Sequence, residues 1–425
     1  MTREDFLFLA SEEGRRLVEK NISADPLKVA LDKKLPHAAL VATQVKYLAR
    51  AKDKLPSYHA ARCIIPSLAY EQSTAEAVAA SREYRGELCI DLTCGLGVDS
   101  LYFAKHFEKV IAIERDPLLS DIARYNFGLL GADNIEVMND SAERFIDIVS
   151  SACPVVADPS SATLSDANSS PATGLIFADP DRRGTMGRKL YRLKDCAPDM
   201  EAMMPQLIQI ALAIVIKCSP LFDVDAPRQL FGDHTLCRVV SLGGECKEVI
   251  IEVGKHIPRP QVEAFVVGRG AVRYDAVRSK LWSASPDKTP DQAPRSIPLL
   301  APELSHGLYK YLIIPDVALQ KSRTAVDYFS SLGAYIDSDN GYAFSSAPLE
   351  TPFGRMLRIG SIEKYAPKLL TQRLKKRGIK RMNILCRNFP VAAAEIARKT
   401  GVAEGGEHTF AFTRLGNEPV MIEIT

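Results

Sequence analysis

Long apolar runs are missing. None of the 425 residues belongs to a stretch approaching the roughly 18 to 20 apolar residues that span a bilayer. Met1 to Leu9 carries Arg3, Glu4 and Asp5 in place of a clean apolar signal region, so the expectation is a cytoplasmic protein with no membrane partner. Paired cysteines are missing too: there are nine, an odd number, with no C-x-x-C spacing, which argues against a disulfide framework or a zinc ribbon. The seven histidines are scattered and none sits in H-E-x-x-H, so nothing asks for a metal. A dominant charge is absent as well. The 54 basic and 52 acidic residues leave +2 overall, so any affinity for nucleic acid must come from uneven distribution along the chain.

What is present is an ordinary globular composition, 46% hydrophobic and 25% charged, long enough for several domains. Residues 1–85 have helical spacing through Leu40, Val41, Val45 and Leu48, and again through Ala75, Val78 and Ala79, where Ser73 or Thr74 is placed to cap. From Glu87 the pattern changes. Strands are expected at Leu88–Asp91, Lys109–Glu114, Ile135–Met138, Leu175–Ala178 and Ile214–Lys217, with helices between them. One of these runs from Pro117 to Leu130. Such alternation predicts a parallel sheet of βαβ units, closed by an antiparallel hairpin, Thr235–Leu242 and Glu248–Val253, through Gly243-Gly244. Residues 151–173 are Ser, Ala, Pro and Asp in mixed order and read as a surface insertion; 283–298 read as a linker. Beyond it, Tyr311–Ile314, a helix through Val326–Phe329 and Tyr342–Phe344 indicate a small α+β unit. The expected divisions are thus 1–85, 86–270, 271–354 and 355–425. The last opens with eleven Lys/Arg and one acid, Glu363, between Arg355 and Arg387.

The chemistry concentrates in Asp91-Leu92-Thr93-Cys94-Gly95-Leu96-Gly97-Val98-Asp99. A strand ends in an acid, a turn carries two glycines, and a helix begins. Glycine tolerates positive φ and lets backbone approach a ligand, while a helix start offers free N–H groups. Glu114, followed by Arg115, closes the second strand, where a carboxylate can accept from both ribose hydroxyls. Asp140, after the third, is placed to accept from an adenine amino group. These residues form an adenosine site at the carboxyl edge of the sheet. A dinucleotide fingerprint needs a third glycine where Ser100 stands, and an acid beside pyrophosphate is unfavourable. The ammonium end of S-adenosylmethionine is instead favoured by Asp91, so this cofactor is expected, held by Asp91, Thr93, Cys94, Gly95, Gly97, Asp99, Glu114, Arg115 and Asp140. Gln72 and Thr74 precede the loop and are candidates to cover it.

These motifs, with Asp179-Pro180, resemble class I S-adenosylmethionine-dependent methyltransferases over residues 60 to 260. Tyr70-Glu71-Gln72-Ser73-Thr74, Asp179-Pro180-Asp181-Arg182-Arg183, Lys217-Cys218-Ser219-Pro220, and Arg387-Asn388-Phe389-Pro390 with Gly405-Gly406 resemble a bacterial group with a THUMP-like end. The resemblance implies a helical N-terminal part, a Rossmann-like catalytic domain, a ferredoxin-like unit and a THUMP-like domain. It also implies RNA modification, with tRNA or rRNA as the partner. Amino methyltransferases commonly carry Asn/Asp-Pro-Pro-aromatic after the fourth strand; here Asp181 and Arg182 replace the last two, so the ring that would stack on a flipped base is missing. Asp179 and Pro180 remain the catalytic candidates, with Asp179 orienting the nucleophile or taking its proton. Arg182, Arg183 and Lys217 are substrate-side candidates, against a reading in which the arginines only shape the loop through Asp181 or Asp195. Cys218 is similar in placement to the nucleophile of enzymes methylating pyrimidine carbon 5, but is more simply a buried strand-end residue. Arg373, Lys375, Lys376, Arg377, Lys380 and Arg381 suit a phosphate backbone, with Tyr365 and Phe389 available to stack. The alternatives are a methyltransferase acting on a small molecule or protein, a non-catalytic RNA-binding protein, and a dinucleotide oxidoreductase.

Overall fold

The computed structural model describes residues 1–152, 173–182, 192–276, 308–416 and 418–425. The expected insertion at 151–173 and linker at 283–298 therefore fall almost wholly outside the described residues. The chain forms two compact units, Met1–Cys237 with Lys247–Pro260, and Arg238–Cys246 with Gln261–Thr425.

In the first unit, parallel strands β1 (Gly86–Asp91), β2 (Phe107–Ile113), β3 (Ile135–Met138), β4 (Thr173–Ala178) and β7 (Ala211–Cys218) alternate with helices. Two short strands, β5 (Asp181–Arg182) and β6 (Cys196–Ala197), pair apart from the sheet. The chain then turns back through β8 (Thr235–Leu242) and β9 (Glu245–Val253), whose hairpin end, Arg238–Cys246, is counted with the second unit. The order is β3-β2-β1-β4-β7-β9-β8, with β9 antiparallel to β7. This is the expected Rossmann-like sheet with its antiparallel closing hairpin. Gly243 and Gly244, at φ 63° and 81°, make the turn. Chain order runs outward from β1 to β3, then jumps back to β4 on the other side of β1. The carboxyl ends of β1 and β4 therefore border a crevice, where ligands bind in open α/β sheets.

The helical N-terminal region does not stand alone. Val41, Leu48, Leu55 and Tyr58 share one core with Leu96, Val98, Ile122 and Phe127 from the sheet's own helices. Asn126, buried, bonds both Ile64 N–H and Ile64 C=O at 2.9 Å, and Tyr58 hydroxyl donates to Leu96 C=O at 3.0 Å. The helix over 117–130 is as expected: Asp116 caps it by accepting from Leu118 and Leu119 N–H, Pro117 opens it, and Gly131 ends it in the left-handed region. The helix Glu76–Ala79 is shorter than expected and neither Ser73 nor Thr74 caps it; Ala75 holds that position, and Thr74 is engaged elsewhere.

In the second unit a hairpin, β10 (Gln261–Val266) and β11 (Gly270–Asp275), precedes a seven-stranded sheet. That sheet comprises β12 (Tyr311–Pro315), β13 (Tyr335–Ile336), β14 (Ala343–Ser345), β15 (Gly354–Lys364), β16 (Arg381–Cys386), β17 (Ala403–Leu415) and β18 (Glu418–Ile424). Their order is β13-β14-β12-β15-β18-β17-β16. A division at 354/355 is thus not a structural break, because β12 pairs with Gly354–Arg358 of β15. Helices Pro367–Lys376 and Ala393–Thr400 add Leu370, Leu374 and Ile396 to a core with Phe410 and Phe412.

Candidate active site

A cleft of about 450 Å³ opens at the carboxyl ends of β1, β2, β3 and β4, within the size range of ligand pockets. Its floor is the turn after β1. Thr93 N–H bonds Asp91 Oδ1 at 2.9 Å and Ser100 hydroxyl donates to Asp91 Oδ2 at 2.5 Å, so both oxygens of the buried carboxylate are used inside the loop. Asp91 does not border the cleft, which corrects the expectation that it meets the cofactor directly; it braces the turn. Burial pushes its carboxyl up to about 7, against the hydrogen bonds from Ser100 and Thr93. Gly95 and Gly97 take φ of 56° and 89°. A Cβ on Gly97 would lie 2.3 Å from Phe127 Cζ, so only glycine fits there.

Glu114 borders the cleft one residue past β2. Its Oε2 accepts from Gly95 N–H at 2.8 Å and its Oε1 from Asp116 N–H at 2.9 Å; burial raises its pKa against these bonds. Asp140 borders it past β3, with Oδ1 on Ser141 N–H at 2.8 Å. Asn139 ties the two strand ends by donating to Glu114 C=O at 2.8 Å. Arg115 also borders the cleft, 3.5 Å from Asp181. Thr93, Cys94, Gly95, Gly97, Asp99, Gln72 and Thr74 complete the set of expected residues brought to this one crevice. The Cys94 thiol is buried and pushed well up by that burial.

Asp179, at the end of β4, borders the same cleft from the opposite side. Its N–H donates to Thr93 Oγ1 at 2.6 Å, joining the two strand ends. Lys217 is not at a substrate mouth, as expected from sequence. Its ammonium turns inward, 2.6 Å from Asp179 Oδ2 and 2.8 Å from Thr74 Oγ1. Burial opposes that charge, but the carboxylates of Asp179, Asp99 and Glu248 hold it up at about 12. Two residues that sequence reasoning missed complete the buried cluster. Arg82 bonds Asp99 and reaches Glu248 Oε1 and Oε2 at 2.8 and 2.9 Å. Their only signal was a charge at the edge of an apolar segment, with nothing to name its partner. Cys218, next on β7, is buried, and burial pushes its thiol well up, so it is no ready nucleophile. Arg183 lies outside the described residues. Arg182 contributes backbone to β5, opposite Cys196.

The cleft lining carries seven carboxylates, Asp99, Glu114, Asp116, Asp140, Glu143, Asp179 and Asp181, against one described cation, Arg115. Asp99, Asp179 and Asp181 are already paired with Arg82, Lys217 and Arg115, and the remaining carboxylates still favour a cation over pyrophosphate. Glycines line the cleft, and the carboxylates of Glu114 and Asp140 border it at successive strand ends. These residues fit S-adenosylmethionine. Among the described residues no group of three or more His, Cys, Asp or Glu is arranged to hold a metal, and no helix is long and apolar enough to cross a membrane.

In the second unit, the basic residues divide. Arg373 pairs with Glu363 and, at 2.7 Å, with Glu423, and Arg377 also meets Glu423 at 2.7 Å. Arg381 donates to Glu404 C=O. Lys375, Lys376 and Lys380 are exposed, with no ion pair among the described residues. Tyr365 and Phe389 are not open stacking platforms: they pack edge-on at 5.0 Å and both lean on Phe412.

The architecture, a Rossmann-like sheet with a cleft at its carboxyl edge, has a counterpart among solved structures. Over 99% of this chain and 98% of the other, it superposes on the crystal structure of a candidate methyltransferase from Porphyromonas gingivalis W83, with TM-score 0.75 and 22% identity. Residues 354–425 match the THUMP domain-like family, and the chain therefore carries a THUMP-like C-terminal domain. It is also similar to enzymes named tRNA/tmRNA (uracil-C(5))-methyltransferase. One from Sodalis glossinidius is 39% identical over 69 residues, 16% of this chain and 18% of the relative. One from Shewanella baltica is 28% identical over 163 residues, 38% of this chain and 39% of the relative. The chain thus spans well under half the length of these relatives.

Proposed function

We propose that the protein transfers a methyl group from S-adenosylmethionine to RNA, tRNA or rRNA. The observation that carries the cofactor reading is the carboxylate-rich, glycine-cradled cleft with Glu114 and Asp140 at successive strand ends. S-adenosylmethionine supplies an electrophilic methyl on a cationic sulfur. Glu114 and Asp140 would accept from ribose and adenine, and the acidic floor would favour the cationic end. Asp179, followed by Pro180, borders the cleft and would meet the incoming nucleophile. Its carboxylate would orient the attacking N–H or O–H toward the methyl group that the cofactor would supply. The nucleophile's proton then leaves through Asp179 or water. Alignment and exclusion of water are all the step needs from the protein. RNA is supported by the THUMP-like domain, by the names of the partial relatives and by exposed Lys375, Lys376 and Lys380. Buried Cys218 gives no support to a covalent route through its sulfur, whichever nucleotide is the target.

The test is transfer of labelled methyl from S-adenosylmethionine to fractionated and to unmodified RNA, with Asp179→Ala as control. Label in one fraction, lost in the variant, is the expected result. Cofactor binding by calorimetry with no RNA labelled would move the substrate to a small molecule or protein, and no cofactor binding would end the reading.

A further inference from the structure

Lys217 shares a strand with fully buried Ile214, Val215 and Ile216, yet its ammonium is committed twice, to Asp179 Oδ2 and to Thr74 Oγ1. An ammonium only donates. Thr74 must therefore accept from Lys217, and its own proton goes to Asp99 Oδ2 at 2.7 Å. Every proton direction in this chain of bonds is fixed from Lys217 outward. Asp99 belongs to the helix Val98–Phe103 that starts at the glycine turn. Asp179, Thr74 and Asp99 border the cleft and Lys217 stands behind them, its side chain 12% exposed.

We propose that Lys217 is a positioning residue for Asp179. It fixes one carboxylate oxygen and leaves Oδ1 as the acceptor offered to the nucleophile. Through Thr74 it ties that orientation to the helix carrying the glycine turn. This rests on the methyltransferase reading above. The charged groups facing Asp179 are Lys217 from β7, Arg82 from the segment before β1, Asp91 at the end of β1, Asp99 from the helix after it and Glu248 from β9. With Lys217 removed, Asp99 remains as a like charge and Arg82 is already shared between Asp99 and Glu248. Asp179 then holds a proton to higher pH and loses its fixed orientation.

The test uses the full chain with Lys217→Met and Lys217→Gln, the latter keeping polar contacts without the charge. Carboxyl ¹³C NMR of aspartate-labelled protein follows Asp179, its signal assigned with Asp179→Asn. Both variants should raise the Asp179 midpoint by about 1–3 pH units, as loss of an adjacent opposite charge does. The acid limb of the pH–rate profile should move with it, and kcat should fall while KM for RNA stays nearly unchanged. A purely structural lysine would move the midpoint through its charge alone, but would leave kcat and the acid limb unmoved in a folded variant. If Lys217→Met does not fold, Lys217→Gln carries the measurement. An unmoved midpoint overturns the positioning role whatever the activity. A midpoint that moves in the variants, while the wild-type chain binds no S-adenosylmethionine, overturns the methyltransferase reading instead.

Discussion

Glu114 Oε2 holds Gly95 N–H at 2.8 Å, so the carboxylate that ends the second strand also sets the backbone of the glycine turn across the cleft. Its other oxygen holds Asp116 N–H, at the start of the next helix. Glu114→Ala leaves both donors unmet and removes the carboxylate proposed to accept from ribose. We expect binding of S-adenosylhomocysteine, measured by calorimetry, to weaken by about 100-fold or more, corresponding to about 3 kcal/mol. Glu114→Gln should retain part of it.

Gly97→Ala should cost about 1–3 kcal/mol in denaturant unfolding through overpacking and strain, since its Cβ would meet the Phe127 ring at positive φ. Adding Phe127→Leu should return some of the packing loss and none of the backbone strain. Full recovery by the double variant would show the strain to be negligible.

Arg82→Met leaves Asp99 and Glu248 buried without their shared cation. Breaking such a pair costs about 3–5 kcal/mol, and Arg82 is 5% exposed by side chain. Adding Glu248→Gln removes one of the stranded charges and should restore part of that loss in the same melts. A single variant as stable as wild type would contradict the arrangement.

Stability should fall as pH rises through neutrality because of Asp91. Its folded value, up to about 7, lies above the unfolded value, so the fold favours the neutral acid. That stabilisation is full below about pH 4 and is lost as pH rises through about 7, on the order of 4 kcal/mol across the window. Thermal melts of Asp91→Asn between pH 5 and 8 should show a flatter profile than wild type.

RNA affinity should separate the two kinds of basic residue in the second unit. Replacing exposed Lys375, Lys376 and Lys380 by Glu should weaken RNA binding and lower the slope against log salt by about 0.7 to 0.9 for each phosphate that is no longer neutralised. Arg373→Ala should chiefly lower the melting temperature, because Arg373 is held by Glu363 and Glu423. Equal affinity of the lysine variant and wild type would place the RNA elsewhere.

The parallel sheet was legible because each strand from Leu88 to Lys217 is a short apolar run with a helix after it, and because Pro117 and Gly131 mark a helix at both ends. The crevice was legible for the same reason: residues just past strand ends converge in this topology. Direction of side chains was not. Asp91 and Glu114 look alike in sequence, each an acid closing a strand, but Ser100 and Thr93 draw the first into the loop while the second borders the cleft. Lys217 reads as an exposed cation until Asp179 and Thr74 are beside it. The link from Arg82 to Glu248 joins residues far apart in sequence, which no local pattern can foresee.

Strand β15 changes partner halfway along: Gly354–Arg358 runs beside β12, and Ile359–Lys364 beside β18. An excised fragment beginning at 354 would therefore carry a raw seam from Gly354 to Arg358 that has lost its β12 neighbour. Such a seam recruits whatever strand it meets, most readily that of a sister fragment. Self-association of the isolated piece would then be an artefact of the cut, and solution studies of this module need the chain from before Tyr311 onward.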